Sequence, residues 1–311
     1  MTKVFIDGSA GTTGLRIRER LSVRPDLSLV TLPEELRKDP AARADALNAA
    51  DIAFLCLPDA AAVESVSLVT SPSTVVIDTS TAHRTADRWT YGFPELAGQR
   101  DKIAVSKRIA NPGCHASGFI ALAAPLVAAG VLESGVRLSC FSITGYSGGG
   151  KKMIADYTAA GRDPLLDAPR QYGLSQTHKH LPEMAAVCGL QYPPVFCPLV
   201  APYYAGMEVT IPLTPAETGA SMEQIREIYR DYYRTGLVSF RDAPDESGFL
   251  SAGSMAGRDD MEISVFGRDD RILLVSRFDN LGKGASGAAI QNFNLVTGQP
   301  ETAGLKLGGD V

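Results

Sequence analysis

The sequence predicts an α/β chain of two domains, a parallel sheet with crossover helices followed by an α+β region whose sheet is mixed and mostly antiparallel. Three observations carry this. The chain has 311 residues, more than one compact core usually organises. Strand-like and helical runs alternate as far as about residue 110, the pattern of parallel strands joined by helices. Beyond Cys114 the strands follow one another with fewer helices between them, and the last two are joined by a short turn, Gly267-Arg-Asp-Asp270.

Val4 to Ile6 is a short apolar strand that runs into Gly8-Ser-Ala-Gly11-Thr12-Thr13-Gly14, after which Ile17 and Leu21 recur at helical spacing. Further strands are expected at Leu27 to Leu32, Ile52 to Leu57, Thr74 to Asp78 and Ile103 to Val105, with helices at Ala41 to Ala50 and Ala60 to Leu68. After Cys114, Phe119, Leu122, Ala123, Leu126 and Val127 mark an amphipathic helix with one buried stripe, bent at Pro125. Later strands are expected at Val136 to Thr144, Val195 to Val200, Met207 to Leu213, Met261 to Phe266 and Ile272 to Phe278. Ser221 and Gln224 form a capping box that opens a helix to about Tyr233. A final helix, Ala285 to Val296, is expected to return to the N-terminal domain. The first domain is therefore placed at 1–113 with 282–311, and the second at 114–281.

Composition narrows the function. Hydrophobic residues make up 45% and charged residues 21%, which excludes the low-hydropathy, high-charge signature of disorder. A net charge of −5 without long runs of either sign lacks the footprint of a nucleic-acid binder and favours a small-molecule partner. Five cysteines with no C-x-x-C spacing argue against a disulfide framework and a thiolate metal site, and suit a reducing cytoplasm. The start, MTKVFIDG, reads as a strand rather than a signal core, and the longest apolar run, Gly118 to Leu132, contains Pro125 and reads as a buried helix rather than a membrane span.

Gly8, Gly11 and Gly14, with Thr12 and Thr13 between them, are candidates to cradle a dinucleotide pyrophosphate in a Rossmann-type domain, because small residues let backbone N–H groups approach it. The spacing is GxxGxxG rather than GxGxxG. The cofactor's ribose should meet the segment after the second strand, where Glu34 suits a 2′-hydroxyl while Arg37 and Lys38 suit a 2′-phosphate. All three are equally compatible with a solvated surface.

Asn111-Pro112-Gly113-Cys114 is the most informative stretch. Pro112 keeps Asn111 out of helical geometry, so that Cys114 begins a helix. Unpaired N–H donors and the helix dipole there favour a thiolate and could hold an oxyanion. Cys56, Cys140, Cys188 and Cys197 read as inert buried thiols. His115 adjoins Cys114, but successive helical side chains diverge by about 100°, which argues against a direct pair. In His178-Lys-His180-Leu-Pro182-Glu183, Pro182 marks a helix start, and His180 and Glu183 can share a face. Nucleophile, imidazole and orienting carboxylate would then be Cys114, His180 and Glu183. Spacing alone favours a surface histidine cluster over that triad. Ser147-Gly-Gly-Gly-Lys151-Lys152 reads as an anion nest beside two cations, and Gly282-Lys-Gly284 opens the last helix toward cofactor or substrate.

Together, GSAGTTG at 8–14, DTSTAHR at 78–84, YGFPEL at 91–96, ANPGC at 110–114, SGGGK at 147–151, HKHLPE at 178–183 and DNLGKGASGAAIQNFN at 279–294 resemble the N-acetyl-gamma-glutamyl-phosphate reductase family in its shorter form, over nearly the whole chain. The resemblance implies a glyceraldehyde-phosphate-dehydrogenase-like fold and an NADP-dependent, homo-oligomeric (dimeric or tetrameric) cytoplasmic enzyme of arginine biosynthesis. The substrate would be a small acyl phosphate, with no nucleic acid, membrane or metal involved. Cys114, His180 and Glu183 would be catalytic. Asn280 and Gly284 would join the cofactor contacts, and Arg84, Asn111, Ser147, Gly148 and His178 would line the substrate. The chain departs from longer members at Ala205-Gly206, where they carry Arg-Gly. Related acyl-phosphate reductases acting on aspartyl or aminoadipyl substrates, and a non-catalytic redox sensor, are the alternatives.

Overall fold

The structure is a computed structural model that describes residues 1–308. The chain divides into two compact units, residues 1–112 with 285–305, and residues 113–284 with 306–308. The backbone N–H of Asp259 bonds to the Lys306 carbonyl, and the Asp259 carboxylate accepts from the Lys306 N–H, which ties residue 306 into the second unit. Residues 309–311 of the segment expected in the first domain lie outside the described residues.

The first unit opens with β1 (Thr2–Asp7), α1 (Thr12–Ser22), β2 (Leu27–Val30), α2 (Pro40–Ala49), β3 (Ile52–Leu55), α3 (Asp59–Leu68) and β4 (Val75–Asp78), followed by β5 (Thr90–Tyr91), α4 (Gln99–Val105) and β6 (Arg108–Ala110). Its six strands lie in the order β2-β1-β3-β4-β6-β5 and every pairing is parallel. β3 and β4 are buried at every position, as expected of strands covered on both faces. Ile103 to Val105, expected as a strand, is the end of α4. Three apolar residues carry no period, and only Ile103 of this short helix is buried while Val105 is 83% exposed.

The second unit begins with α5 (Cys114–Ala128), β7 (Ser139–Gly145), α6 (Gly150–Thr158), β8 (Arg170–Gln171), α7 (Leu181–Cys188), β9 (Val195–Ala201) and β10 (Met207–Leu213). It continues through α8 (Met222–Tyr232), β11 (Val238–Phe240), β12 (Met261–Arg268) and β13 (Arg271–Phe278). Its sheet runs β11-β12-β13-β10-β7-β9-β8, with β11–β12 and β7–β9 parallel and the other pairs antiparallel. The expected capping box at Ser221 and Gln224 is present at the start of α8.

The expected single stripe on α5 is corrected by the structure, since every residue from His115 to Leu126 is buried. The helix is enclosed by β10 and β13 on one side and by α7 and α8 on others, so an all-round apolar sequence suits it. Pro125 has no N–H to give the Ala121 carbonyl, and the Tyr233 hydroxyl donates to that carbonyl instead at 2.7 Å. Tyr229 does the same for Leu122 at 2.6 Å.

The chain re-enters the first unit through α9 (Gly287–Val296). Ala289, Ile290 and Phe293 of this helix complete the core formed by Val4, Ile6, Ile17, Phe54 and Ile77. The first unit is thus built from both ends of the chain. Among the described residues, no helix is long and apolar enough to cross a membrane.

Candidate active site

The glycine turn lies between β1 and α1. Gly8 has φ +85°, a left-handed conformation that a side chain resists, and a Cβ there would stand 2.3 Å from the Cys56 carbonyl oxygen. A Cβ on Gly14 would meet the Gly8 oxygen at 2.5 Å. Gly11 precedes the first turn of α1 with no side-chain cap, and Thr12 and Thr13 begin the helix. Asp7 at the end of β1 is buried and paired with Arg43 of α2 at 3.0 Å, and it accepts from Ser65 at 2.6 Å. That ion pair fixes the strand end from which the turn departs.

Beside the turn is a cavity of about 500 Å³, walled by Gly8, Ser9, Ala10, Leu32, Arg18 and Arg37 among others. Of the three charged residues considered after β2, Arg37 is in this wall and Glu34 and Lys38 are not. Arg18 was not singled out by the sequence reading. Its signal was its position on α1 four residues after Gly14, one helical turn along.

Arg84 and Asn111 hydrogen-bond within the first unit. Arg84 donates from Nε to the Asn111 carbonyl and from Nη2 to the Thr79 carbonyl. Asn111 is 1% exposed, and its amide donates to the Ala285 carbonyl and accepts from Asn292.

In the second unit, Cys114 is the first residue of α5 and is partly exposed. Gly113 precedes the helix in extended geometry and carries no capping side chain. Its N–H donates to Glu183 Oε1 at 2.8 Å. Glu183 sits in the first turn of α7 and is 2% exposed, so a buried carboxylate grips the backbone immediately before the cysteine. On another side, Gly284 lies against the sulfur-bearing residue, since a Cβ there would stand 2.9 Å from Cys114 Cβ. Gly284 belongs to a π-helical turn, Gly282–Ser286, a form that recurs at functional sites.

The three expected imidazoles come together. His178 and His180 have ring centroids 4.8 Å apart, and His115 lies 5.6 Å from each. The His180 N–H donates to His178 Nδ1 at 3.2 Å, so that nitrogen is unprotonated and the proton of a neutral ring is on Nε2. His180 is 5% exposed, which corrects the alternative of a surface cluster. Both ring nitrogens of His115 are engaged elsewhere than at Cys114, Nδ1 2.7 Å from Ser142 Oγ and Nε2 2.6 Å from the Tyr172 hydroxyl. Burial, assisted by His178, pushes its pKa down from 6.5 to about 3, so the ring is neutral.

Ser147 and Asn280 meet each other, because the Asn280 amide donates to Ser147 Oγ at 3.0 Å and accepts from the Gly206 N–H at 2.9 Å. Gly148 lies against the same amide. The N–H groups of Tyr146 and Ser147 are committed to the carbonyls of Tyr203 and Tyr204, so an anion at this turn would have to use the N–H groups from Gly148 onward and the exposed Lys151 and Lys152. Tyr172 and Ser142 were missed by the sequence reading, which had no local signal for either. Burial raises Cys56 to about 12 and pushes Cys140 and Cys188 higher still. Cys197, expected as a buried thiol, is partly exposed on β9.

One unit with a parallel sheet and a glycine turn, and another with a mixed sheet, a cysteine opening its first helix and a cluster of three imidazoles, define a semialdehyde-dehydrogenase-type protein. Residues 30–105 match the family described as semialdehyde dehydrogenase, NAD binding domain, and residues 114–280 match semialdehyde dehydrogenase, dimerisation domain. Solved structures agree on the fold. The aspartate semialdehyde dehydrogenase from Francisella tularensis superposes with a TM-score of 0.71 at 15% identity, covering 96% of this chain and 100% of that one. Aspartate semialdehyde dehydrogenase II from Vibrio cholerae gives 0.70 at 16% identity, covering 96% and 98%. Curated relatives narrow it further. The chain is 44% identical to N-acetyl-gamma-glutamyl-phosphate reductase 2 of Nostoc sp., over 97% of this chain and 99% of the relative. It is 46% identical to N-acetyl-gamma-glutamyl-phosphate reductase of Brucella anthropi, over 96% and 99%. The chain belongs to the N-acetyl-gamma-glutamyl-phosphate reductase family.

Proposed function

We propose that this enzyme reduces N-acetyl-L-glutamyl 5-phosphate to N-acetyl-L-glutamate 5-semialdehyde with NADPH, releasing phosphate, as a cytoplasmic step of arginine biosynthesis. The observation that carries the mechanism is Cys114 at the start of α5, with its preceding N–H held by buried Glu183. First-turn N–H groups have no partner within a helix, and with the dipole they favour a thiolate.

The Cys114 thiolate attacks the acyl carbon. A C–S bond forms, the C–O bond to phosphate breaks, and phosphate leaves with the electron pair and takes a proton from solvent. Lys151 and Lys152, at the start of α6, are the cations for that group. NADPH, when bound, supplies the hydride that reduces the resulting thioester. His180 gives a proton to the oxygen of the thiohemiacetal and recovers it as the carbonyl reforms and sulfur departs as thiolate. Glu183 acts by fixing Gly113, and so the mouth of the helix, as well as by its place beside His180 on α7. His178 holds His180's backbone.

The glycine turn and its cavity fit a dinucleotide. Gly8 and Gly14 pack too closely on neighbouring backbone for a Cβ, which keeps the turn tight beside the cavity, and Arg18 and Arg37 in the wall suit a 2′-phosphate rather than a bare ribose. Association of copies is supported by the second sheet. Phe141, Val195 and Leu273, on β7, β9 and β13, are 48%, 59% and 43% exposed, an apolar row of the kind that a second copy covers. A single-chain mass in sedimentation would contradict that assembly.

Steady-state reduction of NADP by N-acetylglutamate semialdehyde and phosphate tests the activity. The expected result is turnover that requires phosphate and prefers NADP to NAD. Turnover with aspartate semialdehyde alone would overturn the substrate.

A further inference from the structure

We infer that Tyr172 is a further catalytic residue, whose phenolic O–H donates a hydrogen bond to the substrate's acyl oxygen at Cys114 and is aimed there by a buried chain running from Ser142 through His115. The inference rests on the reductase reading above and adds a residue to it.

The direction of the chain follows from counting protons. Ser142, on β7, is 1% exposed, and among the described residues its hydroxyl has one partner, His115 Nδ1 at 2.7 Å. A buried O–H left without an acceptor costs about 1–3 kcal/mol. Ser142 therefore donates to Nδ1. A neutral imidazole has a single N–H, and His115 is kept neutral by burial. With Nδ1 accepting, the proton is on Nε2, which donates to the Tyr172 oxygen at 2.6 Å. Tyr172 thus accepts from His115, and its own proton is left over for a ligand.

The surroundings place the Tyr172 hydroxyl at the histidine cluster of the site. Tyr172 follows β8, with its N–H bonded to the Pro198 carbonyl at 3.0 Å. Its ring packs against the cluster of Tyr157, Leu166 and Val200 and stands 5.9 Å from that of His178. Burial and then the nearby Cys114 charge push its pKa up, so the phenol keeps its proton at neutral pH and acts as a donor without giving the proton away. His115 and Cys114 are consecutive in α5, which couples the nucleophile rigidly to the relay. His115 and Ser142 are positioning residues. Of these three, Tyr172 is the one that touches substrate.

The test is a double-mutant cycle on the full-length enzyme, assayed with the semialdehyde, phosphate and NADP. Y172F keeps the ring packing and should lower kcat about 100-fold, the scale of losing one oxyanion donor, with KM for NADP within about threefold. S142A lets the His115 proton move to Nδ1 and draws the phenol proton back to Nε2. It should lower kcat about tenfold alone and have no further effect in the Y172F background, while S142T should stay near wild type. A Y172F kcat within threefold of wild type overturns the proposal, and that variant decides even where S142A fails to fold. Losses that multiply in the double mutant overturn the relay. A wild-type enzyme without turnover would instead refute the reductase reading itself.

Discussion

The N-termini of α1 and α5 are built alike and surrounded differently. Each follows a glycine in extended geometry, Gly11 at φ −71°, ψ 168° and Gly113 at φ −79°, ψ 146°, and neither has a side-chain cap. The turn leading into α1, Gly8 to Ala10, lines an open cavity with two arginines in its wall, while Gly11 to Gly14 are outside that lining. At α5, Glu183 takes the preceding N–H, Gly284 crowds Cys114, and the residues from His115 to Leu126 are buried. Similar backbone geometry therefore opens next to a cavity in one place and is packed around a cysteine in the other. The enclosure, rather than the turn, decides which.

The largest effects should come from breaking the enclosed site. Cys114→Ser should reduce kcat by about 10⁴-fold or more, because an alcohol lacks the accessible anion. His180→Asn should cost far more turnover than His178→Asn, and equal losses in the same assay would mean the wrong imidazole had been assigned. Gly284→Ala puts a methyl group 2.9 Å from Cys114 Cβ. It should lower kcat about 100-fold by displacing the sulfur. An unaltered kcat would show that the enclosure does not position the thiol.

The open site should respond more mildly and in the opposite parameter. Arg37→Ala and Arg18→Ala should each raise KM for NADP about tenfold, the scale of one charge-assisted contact, while leaving KM for NAD as it was. Equal changes for both dinucleotides would remove these arginines from the 2′-phosphate.

A smaller effect concerns stability. His115 has its pKa lowered from 6.5 to about 3 in the folded chain. Above pH 6.5 the ring is neutral folded or unfolded. Between 6.5 and about 3 only the unfolded chain binds the proton, so its stabilisation is lost progressively as pH falls through that window. Tm followed from pH 8 to pH 4 should therefore decline below 6.5, and the decline should be shallower in a folded His115 variant. Parallel curves would place the acid sensitivity elsewhere.

Local chemistry was legible in the sequence wherever it is written by neighbours. The glycine turn, the capping box at Ser221 and the placement of Cys114 after Pro112 each depend on residues within a few positions. α4 was not legible, since Ile103 to Val105 carry no period and the true strand starts at Arg108. The enclosure of α5 was illegible for another reason. Its neighbours β10, β13 and α8 come some 80 to 160 residues later in the chain, and burial by distant elements leaves no local mark beyond an all-round apolar composition. Tyr172 and Ser142 were likewise invisible, being 57 and 27 residues from the His115 ring that joins them. Glu183 was found by spacing, yet its grip on Gly113 appears only in three dimensions.

Trapping the acylated enzyme tests the covalent route most directly. Enzyme mixed with the semialdehyde and NADP, without phosphate, should release one NADPH per active site in a burst and carry the N-acetylglutamyl group on Cys114, seen by mass spectrometry of the peptide. A phosphate-dependent steady state with neither burst nor adduct at Cys114 would contradict it.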